Sequence, residues 1–321
     1  MDHISELHGL PVHDFPLLGE ETSALPAAET VAWRLSMDED RGGETFEDGL
    51  RRFLDTVDPA RVRALVLGVG AYGSELDAAD SEATAALLTA AADRLTGLKA
   101  LYLADLTFEE SELSWIVQDD VTPFLTAYPR LEELAVRGSN GGYAGEPGLT
   151  FTPLRHEHLR VLRLENGGLP AAAVRGLTAS DLPRLEHLDL WLGVEDYGRD
   201  TTVADLAPVL DGGRLPALRH LGLQNADIQD EIAAAVATAP VVARLETLRL
   251  CRGTLSDTGA EALLGGQPLT HLQELDLHHH YLSEAMTLRL RESLEPYGVR
   301  VNLDGREEEE DEDMRFVAAG E

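Results

Sequence analysis

Three histidines, His278, His279 and His280, stand in a row in the stretch LQELDLHHHYLSE (272–284), and Cys251 is the sole cysteine of the chain. Imidazole, thiolate and carboxylate groups are the donors that hold borderline divalent cations. A thiol beside an imidazole is also the pairing used in nucleophilic catalysis. Two chemistries are therefore open: a cation held by His278, Asp276 and Glu274, or a reactive Cys251–His278 pair with Asp276 behind it. Each has a plainer alternative. Side chains alternate along a strand, and residues two apart are ~6.5–7 Å apart at the backbone. His279 should then point away from His278, and Asp276 is poorly placed to reach the His278 imidazole. The plainer readings are solvated histidines at the edge of an element and a small, polarizable filler at Cys251. A third motif, GVGAYG at 68–73, matches the glycine pattern of dinucleotide sites. The next helical pattern begins several residues past Gly73, too late to present its N-terminus to a pyrophosphate. A glycine-rich turn is the better reading.

The elements that must position these residues are written in a repeat. The triplet Leu272, Leu275 and Leu277 recurs as Leu245, Leu248 and Leu250; Leu218, Leu221 and Leu223; Leu185, Leu188 and Leu190; and Leu159, Leu162 and Leu164. Leu131, Leu134 and Val136, then Leu98, Leu101 and Leu103, then Val62, Leu65 and Leu67 continue it towards the N-terminus. Helix-compatible runs such as DIQDEIAAAVATAP and LSDTGAEALLGGQ lie between the triplets. A short strand plus a helix cannot bury its leucines alone, whereas stacked copies bury them in one continuous core.

This L-x-x-L-x-L pattern resembles the leucine-rich-repeat family, with long repeats similar to those of the ribonuclease-inhibitor type. The resemblance implies an α/β solenoid, with a curved parallel sheet on the concave face and helices on the convex face. In one respect the chain departs from the family: the ninth position of each unit carries neither asparagine nor cysteine. Turns closed by backbone contacts are expected instead. We divide the chain into an N-terminal cap over 1–60, with an atypical strand near Val31 to Leu35 and a helix in ETFEDGLRRFLDTV, a repeat array over 61–304, and an acidic tail over 305–321. GVRVNLD reads as a last strand, and MRFVAAGE is apolar enough to dock. RGSNGGYAGEPGLTFTP and GVEDYGRDTTVADLAPVLDGG read as inserts that break the period, on loop faces that often bind. GLPVHDFPLL, the array and RFVAAGE together resemble a family of bacterial cytoplasmic repeat proteins of undetermined activity. That resemblance carries no catalytic residues, and it implies an accessory to enzymes encoded beside it, of the radical-SAM or ATP-grasp type.

Composition narrows the partners. With 58 acids against 26 bases the formal net charge is −32. Phosphate backbones and anionic membrane surfaces need the opposite sign, so neither nucleic acid nor membrane is expected. One cysteine excludes an intrachain disulfide and a cysteine-rich metal centre. The start MDHISELHGLPVHDF has no basic, then apolar, leader pattern, and the expected compartment is the cytoplasm. Arginine almost wholly replaces lysine, as in GC-rich bacterial genomes.

Strand alternation sends the third, fifth and seventh positions of each unit to the inner face. The third-position row reads Ala64, Ala100, Glu133, Val161, His187, His220, Thr247, Glu274. The fifth reads Val66, Tyr102, Ala135, Arg163, Asp189, Gly222, Arg249, Asp276. The seventh reads Gly68, Ala104, Arg137, Glu165, Trp191, Gln224, Cys251, His278. Side-by-side ion pairs are expected for Arg137 with Glu165, Arg163 with Asp189 and Arg249 with Asp276. Gly222 should leave a dip among His187, His220, Trp191, Gln224, Arg249 and Cys251. Tyr102 and Trp191 stand out as exposed aromatic anchors, against the plainer reading of half-buried rings. Two functions follow: a non-catalytic scaffold that binds a protein or peptide on the concave face without a cofactor, or an enzyme or metal-dependent module built on Cys251, His278 and Asp276.

Overall fold

The computed structural model describes residues 1–36, 44–68, 79–138, 148–308 and 314–319. The GVGAYG motif beyond Gly68, most of the insert after Arg137 and the acidic residues 309–313 lie outside the described residues. The strands are β1 (Glu6–Leu7), β2 (Leu10–Asp14), β3 (Ala32–Ser36), β4 (Ala64–Gly68), β5 (Ala100–Leu103), β6 (Glu133–Arg137), β7 (Val161–Glu165), β8 (His187–Gly193), β9 (His220–Ala226), β10 (Thr247–Arg249), β11 (Glu274–Asp276) and β12 (Arg300–Asn302). The helices are α1 (Phe46–Thr56), α2 (Ala79–Ala90), α3 (Thr122–Ala127), α4 (Ala171–Ala179), α5 (Val203–Leu210), α6 (Gln229–Val236), α7 (Asp257–Gly265) and α8 (Glu284–Leu294).

All twelve strands form one open sheet in chain order; only β1 and β2 pair antiparallel, and every other neighbour is parallel. Such unbroken order with helical crossovers fits a repeat solenoid. The register places Leu65, Leu101, Leu134, Leu162, Leu188, Leu221, Leu248 and Leu275 side by side across eight strands. All are at most 1% exposed. Their row ends on Trp33 and Val301, so β3 and β12 are the flanking copies in which the leucine is replaced.

Helices pack on the leucine face. Threonine or serine caps start several of them: Thr45 accepts from the Asp48 N–H at α1, Ser256 from Thr258 at α7, and Ser283 from Met286 at α8. α1 turns Leu50, Phe53 and Leu54 inward, where Phe53 meets Trp33 and Phe15 edge-on. The GVEDYGRDTTVADLAPVLDGG segment is not an insert without structure. It holds α5, which packs between α4 and α6 and is the helix of its own repeat.

The N-terminal segment holds a further element beyond those expected from the sequence. β1 and β2 form a hairpin, turned by His8 and Gly9 with φ of 56° and 72°, the paired left-handed geometry of tight hairpin turns. β2 then extends the sheet beyond β3. Leu7 is 1% exposed and sits with Ala32, Ala64, Val66, Ala100, Tyr102 and Ala135, flanked by Ile4, Leu10 and Val12. The N-terminal segment therefore covers the face of the sheet opposite the helices in the first repeats, where the third and fifth positions are small or apolar.

Leu221 lies at the centre of the leucine row, and truncation there leaves a cavity that stacked neighbours cannot collapse into. Leu221→Ala should cost ~2–5 kcal/mol, read from denaturant unfolding. A midpoint that barely moves would contradict this register.

Candidate functional site

The third and fifth positions form the expected rows, strand by strand, from Ala64 to Glu274 and from Val66 to Asp276. In the seventh row, Arg137 pairs with Glu165 and Trp191 with Gln224. β10 and β11 stop at Arg249 and Asp276, so Cys251 and His278 lie just past the strand ends.

Tyr102 is not an exposed anchor. It is fully buried under the N-terminal segment. Its hydroxyl donates to Glu165 Oε2 at 2.8 Å, the same oxygen that accepts from Arg137 Nε at 2.9 Å. Burial, then the Glu165 charge, pushes the Tyr102 pKa well up, so it acts as a neutral donor. Arg137 and Glu165 form the expected ion pair, but both are buried and structural. Next to them Asp105, wholly buried, takes Arg34 Nε and Nη2 at 3.0 and 2.6 Å and the Ile4 N–H at 3.1 Å. This carboxylate ties the N-terminal segment to the sheet.

Trp191 is covered as well. At 8% exposure it packs against Leu113, Met1 and Ala319, with the Arg252 guanidinium 4.8 Å from its ring centre. The two ends of the chain thus meet on this ring. The C-terminal segment reaches it along the strand ends of three successive repeats. Phe316 N–H donates to Tyr281 Oη at 2.8 Å, and its carbonyl lies 3.1 Å from His279 Nε2. Ala318 N–H donates to the Arg252 carbonyl at 2.8 Å, and Asn225 exchanges two hydrogen bonds with the Ala319 backbone at 2.5 and 3.0 Å. Asn225, Arg252 and His279 hold the same place in their repeats, each with φ of 53–65°. Docking of MRFVAAGE was legible from its apolar residues, but its path was not.

The third histidine is structural. His280 is buried, accepts from the Leu282 N–H at Nδ1 and faces the Leu303 carbonyl with Nε2. It occupies the ninth position and closes the turn with its side chain. Asn166, one place earlier in its repeat, does so by accepting from the Gly168 N–H at 2.7 Å. The expectation of purely backbone-closed turns fails at these two repeats.

In the C-terminal half the inner face carries a chain of polar contacts. His187 Nε2 donates to Asp189 Oδ2 at 2.7 Å, and Gln224 Nε2 donates to Asp189 Oδ1 at 2.9 Å. Gln224 Oε1 accepts from Cys251 Sγ at 2.9 Å. His278 donates to Asp276 Oδ1 from Nδ1 at 2.8 Å and from its backbone at 3.2 Å. That contact corrects the expectation that Asp276 is poorly placed to reach His278: as His187 and Asp189 do within β8, the two side chains lean along the strand and bridge the ~6.5–7 Å backbone separation. The dip at Gly222 is filled rather than open. A Cβ there would lie 1.9 Å from Asp189 Oδ1 and 2.4 Å from Gln224 Nε2, so glycine is what lets that hydrogen bond cross the strand. Two expected ion pairs are rearranged. Arg163 bonds Glu133 rather than Asp189, and Arg249 lies 3.6 Å from Asp189 Oδ2.

The electrostatics follow from this layering. Burial alone would raise the Asp189 pKa, but the hydrogen bond and charge of His187, then Arg249 and Arg163, hold it low. Asp276 is likewise held low against burial by His278 and Arg249. Burial, then the Asp276 charge, drives the Cys251 thiol far up. His220, stacked on His187 with ring centres 5.3 Å apart, is lowered by burial and then by the His187 charge. The side chains of Arg163, His187, Arg249 and His278 remain 24–35% exposed, while Glu133, Glu165, Asp189 and Asp276 are only 7–11% exposed. Cations and imidazoles therefore lie above buried carboxylates. Cys251, Asp276 and His278 also offer one sulfur, one oxygen and one nitrogen within 4.8 Å of one another.

Two outcomes are expected. Gly222→Ala should destabilise by ~1–3 kcal/mol through overpacking, seen as a lowered melting temperature. His156, His220 and His280 are all held below the ordinary histidine value, each first by burial, and the unfolded chain binds protons more readily at these sites. Their contribution is complete above about pH 6.5 and is lost as pH falls through the lower folded values. A second loss begins below about pH 4 as the lowered Asp189 and Asp276 protonate. Urea midpoints across this range should decline on acidification, and a flat profile from neutral to acid pH would contradict it.

No family model and no curated protein matches the chain. Among solved structures, it is similar to a structural-genomics crystal structure of a Bacteroides fragilis protein, at 28% identity and a TM-score of 0.78, over 91% of this chain and 78% of that one. The likeness supports an α/β repeat array through nearly the whole length. Among the described residues, no helix is long and apolar enough to cross a membrane.

Proposed function

We propose that the chain is a leucine-rich-repeat solenoid of the long, ribonuclease-inhibitor-like kind, acting in a bacterial cytoplasm as a non-catalytic scaffold. Its partner is an extended, acidic peptide segment of another protein, and an enzyme encoded beside it is the first candidate. The observation that carries this reading is the asymmetry of the inner face. Its N-terminal half is sealed by the chain's own first residues. The C-terminal half keeps Val161, Arg163, His187, His220, Arg249, Glu274 and His278 partly exposed. These groups are mostly hydrogen-bond donors, raised over carboxylates that are already paired. Such a surface takes carboxylates and carbonyls from a partner, and it stands out on a chain of net charge −32. That overall charge repels polyanions such as nucleic acid while a short acidic segment can still bind locally.

A catalytic reading has less behind it. A nucleophilic thiol needs exposure and a lowered pKa; Cys251 is fully buried and shifted the other way.

The test uses the double variant Arg249→Ala, His220→Ala. Both side chains are partly exposed: Arg249 makes a long ion pair, at 3.6 Å, with Asp189, and His220 stacks on His187. Affinity capture from the native host should lose the partner by about tenfold or more, since a central contact contributes at least ~1.4 kcal/mol. Undiminished recovery with an unchanged melting temperature would remove this face from consideration.

A further inference from the structure

Cys251, Asp276 and His278 are the only group of three such side chains, among the described residues, whose donor atoms converge this closely. Each is delivered by the repeat. Asp276 is the fifth-position residue of β11 and is fixed by its pairing with Arg249 and Asn302. Cys251 and His278 are seventh-position residues of adjacent repeats, both beyond the ends of their strands. Asp276 Oδ1 takes both the His278 backbone N–H, at 3.2 Å, and the ring Nδ1, at 2.8 Å. The same two-residue contact joins His187 to Asp189 within β8, at 2.7 Å, so the side chains bridge the ~6.5–7 Å backbone separation by leaning along the strand.

We propose that these three residues form a binding site for a divalent cation of the zinc class, with Gln224 Oε1 as the fourth donor. Three features of the site support it beyond residue type. The first is the aim of Gln224. Its amide nitrogen is held by Asp189 at 2.9 Å, which leaves Oε1 turned towards Cys251 Sγ, also at 2.9 Å. A carboxylate that fixes the orientation of a ligand is the usual outer support of a metal centre. The second is charge. A thiolate and a carboxylate exactly neutralise a dication, so loading leaves no net charge on a largely buried floor, where an unpaired charge is costly. The third is access. His278 is 28% exposed, so an ion enters from the open face while the other donors stay under cover.

The donor set selects the ion. One sulfur, one imidazole nitrogen and two oxygens suit zinc or cobalt, whereas calcium and magnesium take oxygen alone. Donors in a tetrahedral zinc shell sit ~3.3–3.8 Å apart, from bond lengths of ~2.0–2.3 Å. The present donors lie within 4.8 Å of one another, so loading draws them together by about 1 Å. In the metal-free state the thiol hydrogen is donated to Gln224 and the imidazole hydrogen to Asp276. On binding, the thiol proton leaves to solvent and the imidazole proton moves to the outer ring nitrogen. One proton is released per ion, and no oxidant or reductant takes part. The site stands independently of the peptide-binding proposal, although both lie on the same face.

Full-length protein stripped with a chelator and titrated with cobalt(II) tests the assignment. The expected result is saturation at one equivalent with a near-ultraviolet thiolate-to-cobalt band, reversed by one equivalent of zinc(II). Cys251→Ser should abolish the band, and His278→Ala should weaken binding more than tenfold. His271→Ala, on a histidine remote from the site, should change neither. Circular dichroism confirms that each variant is folded. Absence of the band in folded wild-type protein, or its persistence in Cys251→Ser, would overturn the site.

Discussion

The in-register stacking of one leucine per strand governs the rest of the molecule. A leucine at 65, 101, 134, 162, 188, 221, 248 or 275 can be buried only if its strand lies level with its neighbours. A slip of one residue would turn the whole apolar set to the other face. Once that register is set, the third, fifth and seventh positions become rows with a ~4.8 Å pitch, and residues one repeat apart become neighbours. Gln224 and Cys251 touch across 27 positions for this reason, and Asp189 reaches Gln224 across 35 because Gly222 leaves room between them.

Rows of polar residues on a partly covered face must satisfy one another, because an unpaired buried charge or amide is costly. The structure resolves this by layering. In the C-terminal repeats carboxylates sink to the floor, where Arg163, Arg249, His187, His278 and Gln224 reach them, and the cationic heads stay nearest solvent; Arg137 and Glu165 are buried together. The same layering sets the ionisation of the face: acids are held low by their donors, and Cys251 is held as a thiol by burial beside Asp276. Gly222 belongs to this scheme as the one fifth-position residue that lets an Asp189–Gln224 hydrogen bond lie across the strand.

The two chain ends finish what the repeats leave open. A parallel sheet has unpaired edges, and the first repeats carry alanine and valine where later ones carry charge. The hairpin of β1 and β2 covers that apolar floor and extends the sheet beyond β3. The C-terminal segment closes the strand ends from His279 back to Asn225. Both ends bury Trp191, and so the exposed part of the face is confined to the C-terminal repeats.

The repeat, its eight strand positions and the composition of each row were legible from the spacing of leucines, because period and alternation are local properties of a chain; the last strand was legible in GVRVNLD and forms over Arg300–Asn302. The N-terminal hairpin had a visible cue, His8–Gly9 between alternating residues, but a two-residue strand is too short to stand out. The exposure of Tyr102 and Trp191 was not legible, since what covers them comes from residues 1–7 and 314–319, far away in sequence. Nor was the contact of His278 with Asp276. Backbone spacing alone puts residues two apart ~6.5–7 Å from one another, and the side-chain conformations that close this gap, at His278–Asp276 and at His187–Asp189, are set only in the packed structure. Local pattern determined which residues share a face; long-range packing decided which remain open to solvent and which side chains close on one another.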